Sequence, residues 1–187
     1  MTINWSTKVA PVLGLDVSTR TGAVLLESVS GKPKVQKELV LAPLSNGTSV
    51  HRMYRAVELF HKVRELLVMT RPALVVIEGY GYANAYTLAL LVELGAMARH
   101  ACIYTKAQYI DVAPPTLKKF VTGSGAAKKD QMRLAVYKKW GYEHDSDNVV
   151  DAYALARLGL VYAGAVPANK MERELLKKLR AGGKKCP

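Results

Sequence analysis

Three carboxylic acids stand where the surrounding sequence is apolar. Asp16 closes the run Val9–Asp16, Glu78 follows the run Ala73–Ile77, and Asp151 lies in an otherwise apolar stretch near the end of the chain. An ionised carboxylate is expensive to desolvate unless it is paired or holds a cation. Acids at the ends of adjacent strands, facing a helix that brings a third, therefore suggest a cation site. No set of His and Cys ligands accompanies them, so the donors favour magnesium or manganese over zinc. Asp147 lies four residues before Asp151 and Asn148 three before it; both spacings share a helix face, and either residue can complete the site. Each acid also has an ordinary alternative: Asp16 capping the turn that follows it, Glu78 pairing with Arg52 or Arg71, and Asp151 meeting a lysine.

The elements that must position these residues follow from the apolar pattern. Val9–Asp16, Ala23–Leu26 and Val35–Leu41 read as three consecutive strands joined by a Ser/Thr/Gly turn and a Gly-Lys-Pro turn, so the chain does not open on a strand–helix–strand unit. Met53, Val57, Phe60, Val63 and Leu67 recur at helical spacing after Ser49, and Pro72 ends that helix. Ala73–Ile77 is the continuous apolar run of a strand buried on both faces, which delivers Glu78 at its end. A long apolar helix is expected over about Ala85–His100, then a strand Tyr109–Val112 closed by Pro114-Pro115, a short helix Thr116–Phe120, and a basic helix Ala127–Trp140. A last helix runs over Asp147–Ala163, with Asp145 or Ser146 as its cap. The expected architecture is α/β, a central mixed five-stranded sheet flanked by helices, occupying residues 1–163.

Residues 164–187 form a basic tail, where Lys170, Arg173, Lys177, Lys178, Arg180, Lys184 and Lys185 face only Glu172 and Glu174. It reads either as a solvated helix with a frayed end or as an arm that touches nucleic acid. Over the 187 residues, 27 Lys and Arg against 15 Asp and Glu give a net charge of +12, which points to a polyanionic partner. No window reaches the ~18 uninterrupted apolar residues of a membrane span; the most apolar stretch, Thr87–Tyr104, contains Glu93, Arg99 and His100. The first residues lack the pattern of a signal peptide and Cys186-Pro187 is not a prenylation box, so a cytoplasmic protein is expected. Cys102 and Cys186 are expected to be free thiols.

In order along the chain, Leu13-Gly14-Leu15-Asp16 with Ser18-Thr19-Arg20-Thr21-Gly22, then Val76-Ile77-Glu78, then the segment from Pro115 through Lys118, Gly123-Ser124-Gly125 and Lys129 to Gln131, then Asp151-Ala152-Tyr153-Ala154-Leu155-Ala156, resemble the RuvC family of Holliday-junction resolvases. The first two motifs are short; the glycine-and-lysine segment followed by the helical Asp-Ala-x-Ala-Leu-Ala is much more specific. The resemblance spans about residues 10–160. It implies an RNase H-like fold, a homodimer, and two-metal hydrolysis of DNA phosphodiesters with two Mg2+ per site, Mn2+ substituting.

Position by position, the resemblance implies that Asp16, Glu78 and Asp151 are metal-holding catalytic acids. The family's Asp-x-x-Asp on the last helix is here Asn148-Val149-Val150-Asp151, so either Asn148 gives a neutral oxygen or the role passes to Asp147. The family's DNA-segment lysines fall on Lys118 and Lys129; Lys119, Lys128 and Arg20 are further candidate DNA contacts. The family's wedge aromatic falls in register on Gly81, with Tyr80 and Tyr82 on either side. These tyrosines either stack on unpaired bases or pack in the protein.

The expected reaction is attack of water on a phosphodiester of branched DNA, with cations stabilising the attacking and leaving oxygens. Its expected form is paired nicking of four-way junctions. Two relatives of this reading remain open, a broader debranching nuclease acting on flaps and forks and a catalytically silent junction-binding protein. A sugar-kinase reading of the Asp-x-Ser-Thr turn requires two similar lobes, which this chain does not have.

Overall fold

A computed structural model describes residues 11–41, 49–81 and 85–182. Val9, Ala10, Tyr82, Lys184, Lys185 and Cys186 lie outside them. The strands are β1 (Val12–Asp16), β2 (Thr21–Val29), β3 (Lys32–Leu41), β4 (Leu74–Glu78) and β5 (Tyr109–Val112); the helices are α1 (Ser49–Thr70), α2 (Ala85–Thr105), α3 (Pro114–Thr122), α4 (Lys129–Trp140), α5 (Asp147–Tyr162) and α6 (Lys170–Gly182). They build one mixed five-stranded sheet in the order β3-β2-β1-β4-β5. Strand β2 pairs antiparallel with both β1 and β3, whereas β4 runs parallel to β1, and β5 parallel to β4.

Strand parity decides which side chains face which layer, because successive residues point to opposite sides of a sheet. Leu13, Leu15, Val75 and Ile77 face α1 and α2, where they pack with Ala56, Leu59, Val63, Leu94 and Ala101. Val12, Leu74 and Val76 face α5, against Val149, Ala152, Leu155 and their neighbours. Carrying that alternation to the strand ends turns Asp16 and Glu78 toward α5, the layer that carries Asp151.

Helix α5 lies close on the sheet because glycines leave it room. A Cβ on Gly14 would stand 2.0 Å from the carbonyl oxygen of Ala152, and one on Gly22 2.0 Å from that of Asn148. At Gly159, on the helix itself, a Cβ would meet Val12 Cγ1 at 2.5 Å and Val76 Cγ2 at 2.6 Å. Positions 148, 152 and 159 are spaced to lie along one helical stripe, so three glycines and one alanine form the contact line between helix and strands.

Some boundaries differ from the sequence expectation for definable reasons. Helix α3 begins at Pro114 rather than Thr116, since the first turn of a helix has no amide partners for proline to lose. Helix α2 continues past His100, because Ala101 and Cys102 supply a further buried turn. It is also long and apolar enough to cross a membrane by length and composition alone. Its charges are nevertheless tied to neighbouring elements: Glu93 to Arg52 on α1 at 3.0 Å, and Arg99 to Asp111 on β5 at 2.6 Å.

Residues 170–182 form a helix docked on the domain. Its first turn is closed by a reciprocal pair, Asn169 N–H donating to Glu172 Oε2 and Glu172 N–H to Asn169 Oδ1, both 2.9 Å, a capping box. Leu175 and Leu176 are buried in the same core as α5, and Arg180 donates to the carbonyl of Tyr162 at 2.8 Å.

The glycine contact line generates a stability prediction. Gly14→Ala is expected to cost about 1–3 kcal/mol by overpacking, lowering Tm by roughly 2–12 °C for a domain of this size. Gly81→Ala, whose Cβ would meet only Pro114 Cγ at 3.6 Å, should leave the thermal melt unchanged when both are followed by circular dichroism.

Candidate active site

Asp16 ends β1 and Glu78 ends β4 on neighbouring parallel strands, one register step beyond the Leu15–Ile77 pair. Asp16 is only 7% exposed. Its carboxyl and that of Glu78 are in hydrogen-bonding contact, and burial first, then the charge of Glu78, holds Asp16 well above the usual carboxylate range. Glu78 is raised by burial and by the nearby charge of Asp151, against which its bond from Asp16 acts to lower it. Burial and mutual repulsion thus oppose simultaneous ionisation of the two carboxyls. Asp151, one α5 turn from the close contact at Asn148, is pushed up to about 7 by burial and by the charges of Asp16 and Asp147.

Lysines partly compensate this. Lys129, at the start of α4, lowers all three acids, and Lys118, on α3, lowers Glu78 and Asp151. Both elements converge on the acid edge because the αL residue Gly123 ends α3 and turns the chain toward α4. Lys119 and Lys128 are exposed on the same segment, Lys128 closing the first turn of α4 through its N–H to Gln131 Oε1 at 2.8 Å.

Two of the ordinary alternatives for the acids find other partners, while Asp151 does lie in the field of Lys129 and Lys118. The turn after Asp16 is closed by Thr21, whose hydroxyl donates to the carbonyl of Ser18 at 2.8 Å, and by Ser18 Oγ accepting from Arg20 N–H at 3.1 Å. Arg52 is paired with Glu93, not with Glu78. Ser146 occupies the N-cap of α5 without a side-chain capping bond, and its N–H donates to His144 Nδ1 at 2.9 Å.

The two candidates for a fourth ligand are both hydrogen-bonded, Asp147 through its carboxylate and Asn148 through its amide nitrogen. Asp147 is held by Arg133 at 2.7 Å, with Lys129 at 3.9 Å, and Arg133 also donates to the carbonyl of His144 at 3.1 Å. Asn148 donates through Nδ2 to Ser18 Oγ at 3.0 Å and to the carbonyl of Arg20 at 2.7 Å. Arg20 is exposed. Arg133 escapes a sequence reading because only folding brings it to Asp147; its helical spacing of four from Lys129 is the one available signal.

Tyr80 is half exposed but braced. Arg99 donates to its hydroxyl at 3.0 Å and lies 4.9 Å from its ring centroid, a cation–π distance. Asp111 in turn holds Arg99 through two donors at 2.9 and 2.6 Å. Gly95 makes the space, since a Cβ there would stand 2.8 Å from the tyrosine oxygen.

The residues fit a hard divalent cation. All donors at the acid edge are oxygens, and the Asp16 and Glu78 carboxyls lie in contact where a cation would offset their repulsion. Among the described residues no three or more His, Cys, Asp or Glu side chains are gathered closely enough to hold a metal ion. Asp151 is coupled to the pair through charge.

A family model described as crossover junction endodeoxyribonuclease RuvC matches residues 12–158. A RuvC of Carboxydothermus hydrogenoformans is 26% identical over 160 residues, covering 83% of this chain and 98% of its own length. One from Prochlorococcus marinus is 29% identical over 156 residues, covering 80% and 97%. Among solved structures, Thermus thermophilus RuvC in complex with Holliday junction substrate superposes with a TM-score of 0.67 at 18% identity, over 92% of this chain and 94% of that one. The yeast mitochondrial Holliday junction resolvase superposes with 0.56 at 14% identity, over 93% and 83%. These likenesses establish the RNase H-like fold.

The raised carboxyls make a pH-dependent stability prediction. A carboxyl whose folded pKa lies above its unfolded value costs no stability below about pH 4, and an increasing amount as pH rises to about 7. In EDTA at pH 8, Asp151→Asn should therefore raise Tm by at least roughly 2–4 °C, the equivalent of about 1 kcal/mol. The gain should vanish at pH 4, as read by thermal melts of both proteins across that range.

Proposed function

The chain belongs to the RuvC family of crossover junction endodeoxyribonucleases, and from that premise we propose that it resolves four-way DNA junctions by paired, magnesium-dependent nicks as a homodimer. The observation that carries this reading is the contact of Asp16 with Glu78 at the strand ends and the electrostatic coupling of Asp151 to both, with Lys118 and Lys129 in electrostatic reach. Members of this family depend on divalent metal. In this reading Asp16, Glu78 and Asp151 hold two Mg2+ per site, with Mn2+ able to substitute. When bound, the ions supply an activated water and stabilise charge on the attacking and leaving oxygens.

The protein's own residues have separate tasks. The carboxylates position the cations and are poor proton acceptors while so engaged. Lys118 and Lys129 offset charge on the scissile phosphate. Lys119, Lys128 and Arg20, all exposed, contact the DNA backbone without reading sequence. The net charge of +12 draws the polyanion to this edge.

A catalytically silent DNA binder is the weaker reading on physical grounds. Three mutually repelling carboxylates, one buried and two partly buried, oppose phosphate binding; Lys118 and Lys129 offset them only in part.

The dimer is proposed on α2. Tyr86, Val92, Ile103 and Tyr104 are large apolar side chains exposed along it, and a second copy would cover them. Val92→Glu with Ile103→Glu should shift the sedimenting species to monomer while leaving the circular dichroism spectrum intact.

End-labelled four-way junction, flap, fork and linear duplex tested with Mg2+, Mn2+ or EDTA examine the activity. Symmetric paired nicks in the junction are expected, falling by ~100-fold or more in Asp16→Asn, Glu78→Gln or Asp151→Asn, with junction binding in a gel-shift assay retained or tightened. Equal cutting of flaps and forks would broaden the substrate class. Metal-independent cutting, or normal cutting by all three variants, would overturn the site.

A further inference from the structure

We infer that Asn148 is the latch that fixes the β1–β2 turn to α5, and not a cation ligand, so that the cation site is made by three carboxylates; this rests on reading Asp16, Glu78 and Asp151 as that site. The amide can be oriented only one way, because the carbonyl of Arg20 accepts and cannot donate. Nδ2 must face it, at 2.7 Å, and its second hydrogen reaches Ser18 Oγ at 3.0 Å. Both donors of the side chain are thereby spent on one turn.

That turn is closed internally by Ser18, Arg20 and Thr21. Its side-chain hydrogen bonds to α5 both come from Asn148. The main chain meets there too, since Gly22 leaves no space for a Cβ beside the carbonyl of Asn148. The turn begins two residues after Asp16, and Asn148 lies three before Asp151. The latch thus ties the strand bearing one acid to the helix bearing another. An aspartate at 148 offers no donor and would set an anion against the carbonyl of Arg20. Asp147 does not take over the vacated role, because Arg133 at 2.7 Å and Lys129 at 3.9 Å already balance its charge.

The test uses the full chain and manganese alone, followed by uncut four-way junction. Mn2+ affinity is measured by calorimetry without DNA for Asn148→Ala, Asn148→Asp and Ser18→Ala, and kcat is then measured at saturating Mn2+, well below each variant's melting point. A latch predicts Mn2+ affinity within about fivefold of the parent for all three, with kcat down by about tenfold or more in both Asn148 variants, as for lost outer-shell support. Ser18→Ala, which keeps the bond to Arg20 and serves if the Asn148 variants fail to fold, should lower kcat in the same direction by less. Weakening of Mn2+ beyond that limit in Asn148→Ala, tightening beyond it in Asn148→Asp, or an unchanged kcat in the variants that fold would overturn the latch. Asp16→Asn runs alongside: if it binds Mn2+ like the parent, the cation site itself is misplaced, whatever the 148 variants do.

Discussion

The main chain of α5 rests on the main chain of β1 and β2, and the rest of the molecule is arranged around that approach. At Gly14 and Gly22 the distance from an imagined Cβ to a helix carbonyl is 2.0 Å, far inside any tolerable contact. Only glycine lets a helix sit so low on a sheet, and the low seat brings Asp151 into the field of two acids at the strand ends. The closeness of these carboxylates is thus a consequence of backbone geometry. Two cores hold the arrangement together, one on each face of the sheet, and the hydrophobic burial within them offsets the cost of the acid edge.

Much of this was legible in the sequence because it depends on period and on strand ends. The apolar runs of β1 and β4 locate the central strands, and their parity alone turns Asp16 and Glu78 the same way. Asp151 is visible as a charge among Val149, Val150, Ala152 and Leu155. The rest depends on long-range partners. The engagement of Asn148 with Ser18 spans 130 residues, and the bracing of Tyr80 by Arg99 and Asp111 needs α2 beside β5. No local pattern encodes such pairings. Two local signals were readable and pointed elsewhere at first sight: Pro114-Pro115 opens α3 as well as closing β5, and Asn169-x-x-Glu172 is a helix start within a segment whose charges suggest a loose tail.

Charge is distributed so that attraction and chemistry do not compete. A chain of +12 draws phosphate from a distance within a few Debye lengths, while the acid edge locally repels it until a cation is held there. Lys118 and Lys129 sit at the boundary between these regimes. They lower the acids' pKa values. In the function proposed above, a divalent cation held at this edge would reverse the local sign.

The two faces of the sheet explain how an assembly can form without blocking that edge. Residues of odd number in β1 and β4 pack on α1 and α2, and residues of even number on α5. The exposed apolar side chains Val92, Ile103 and Tyr104 belong to α2, on the odd face, while Asp16 and Glu78 extend the even face. In the dimer proposed above, a second copy seated on α2 would bury apolar surface on one side of the sheet and leave the acids on the other side uncovered. A one-residue slip in either strand would exchange the faces and bury the carboxylates beneath α2. Register, set by the antiparallel pairing Asp16–Gly22 and the parallel pairing Leu15–Ile77, is thus the structural condition for having both an open site and a covered apolar face in one domain.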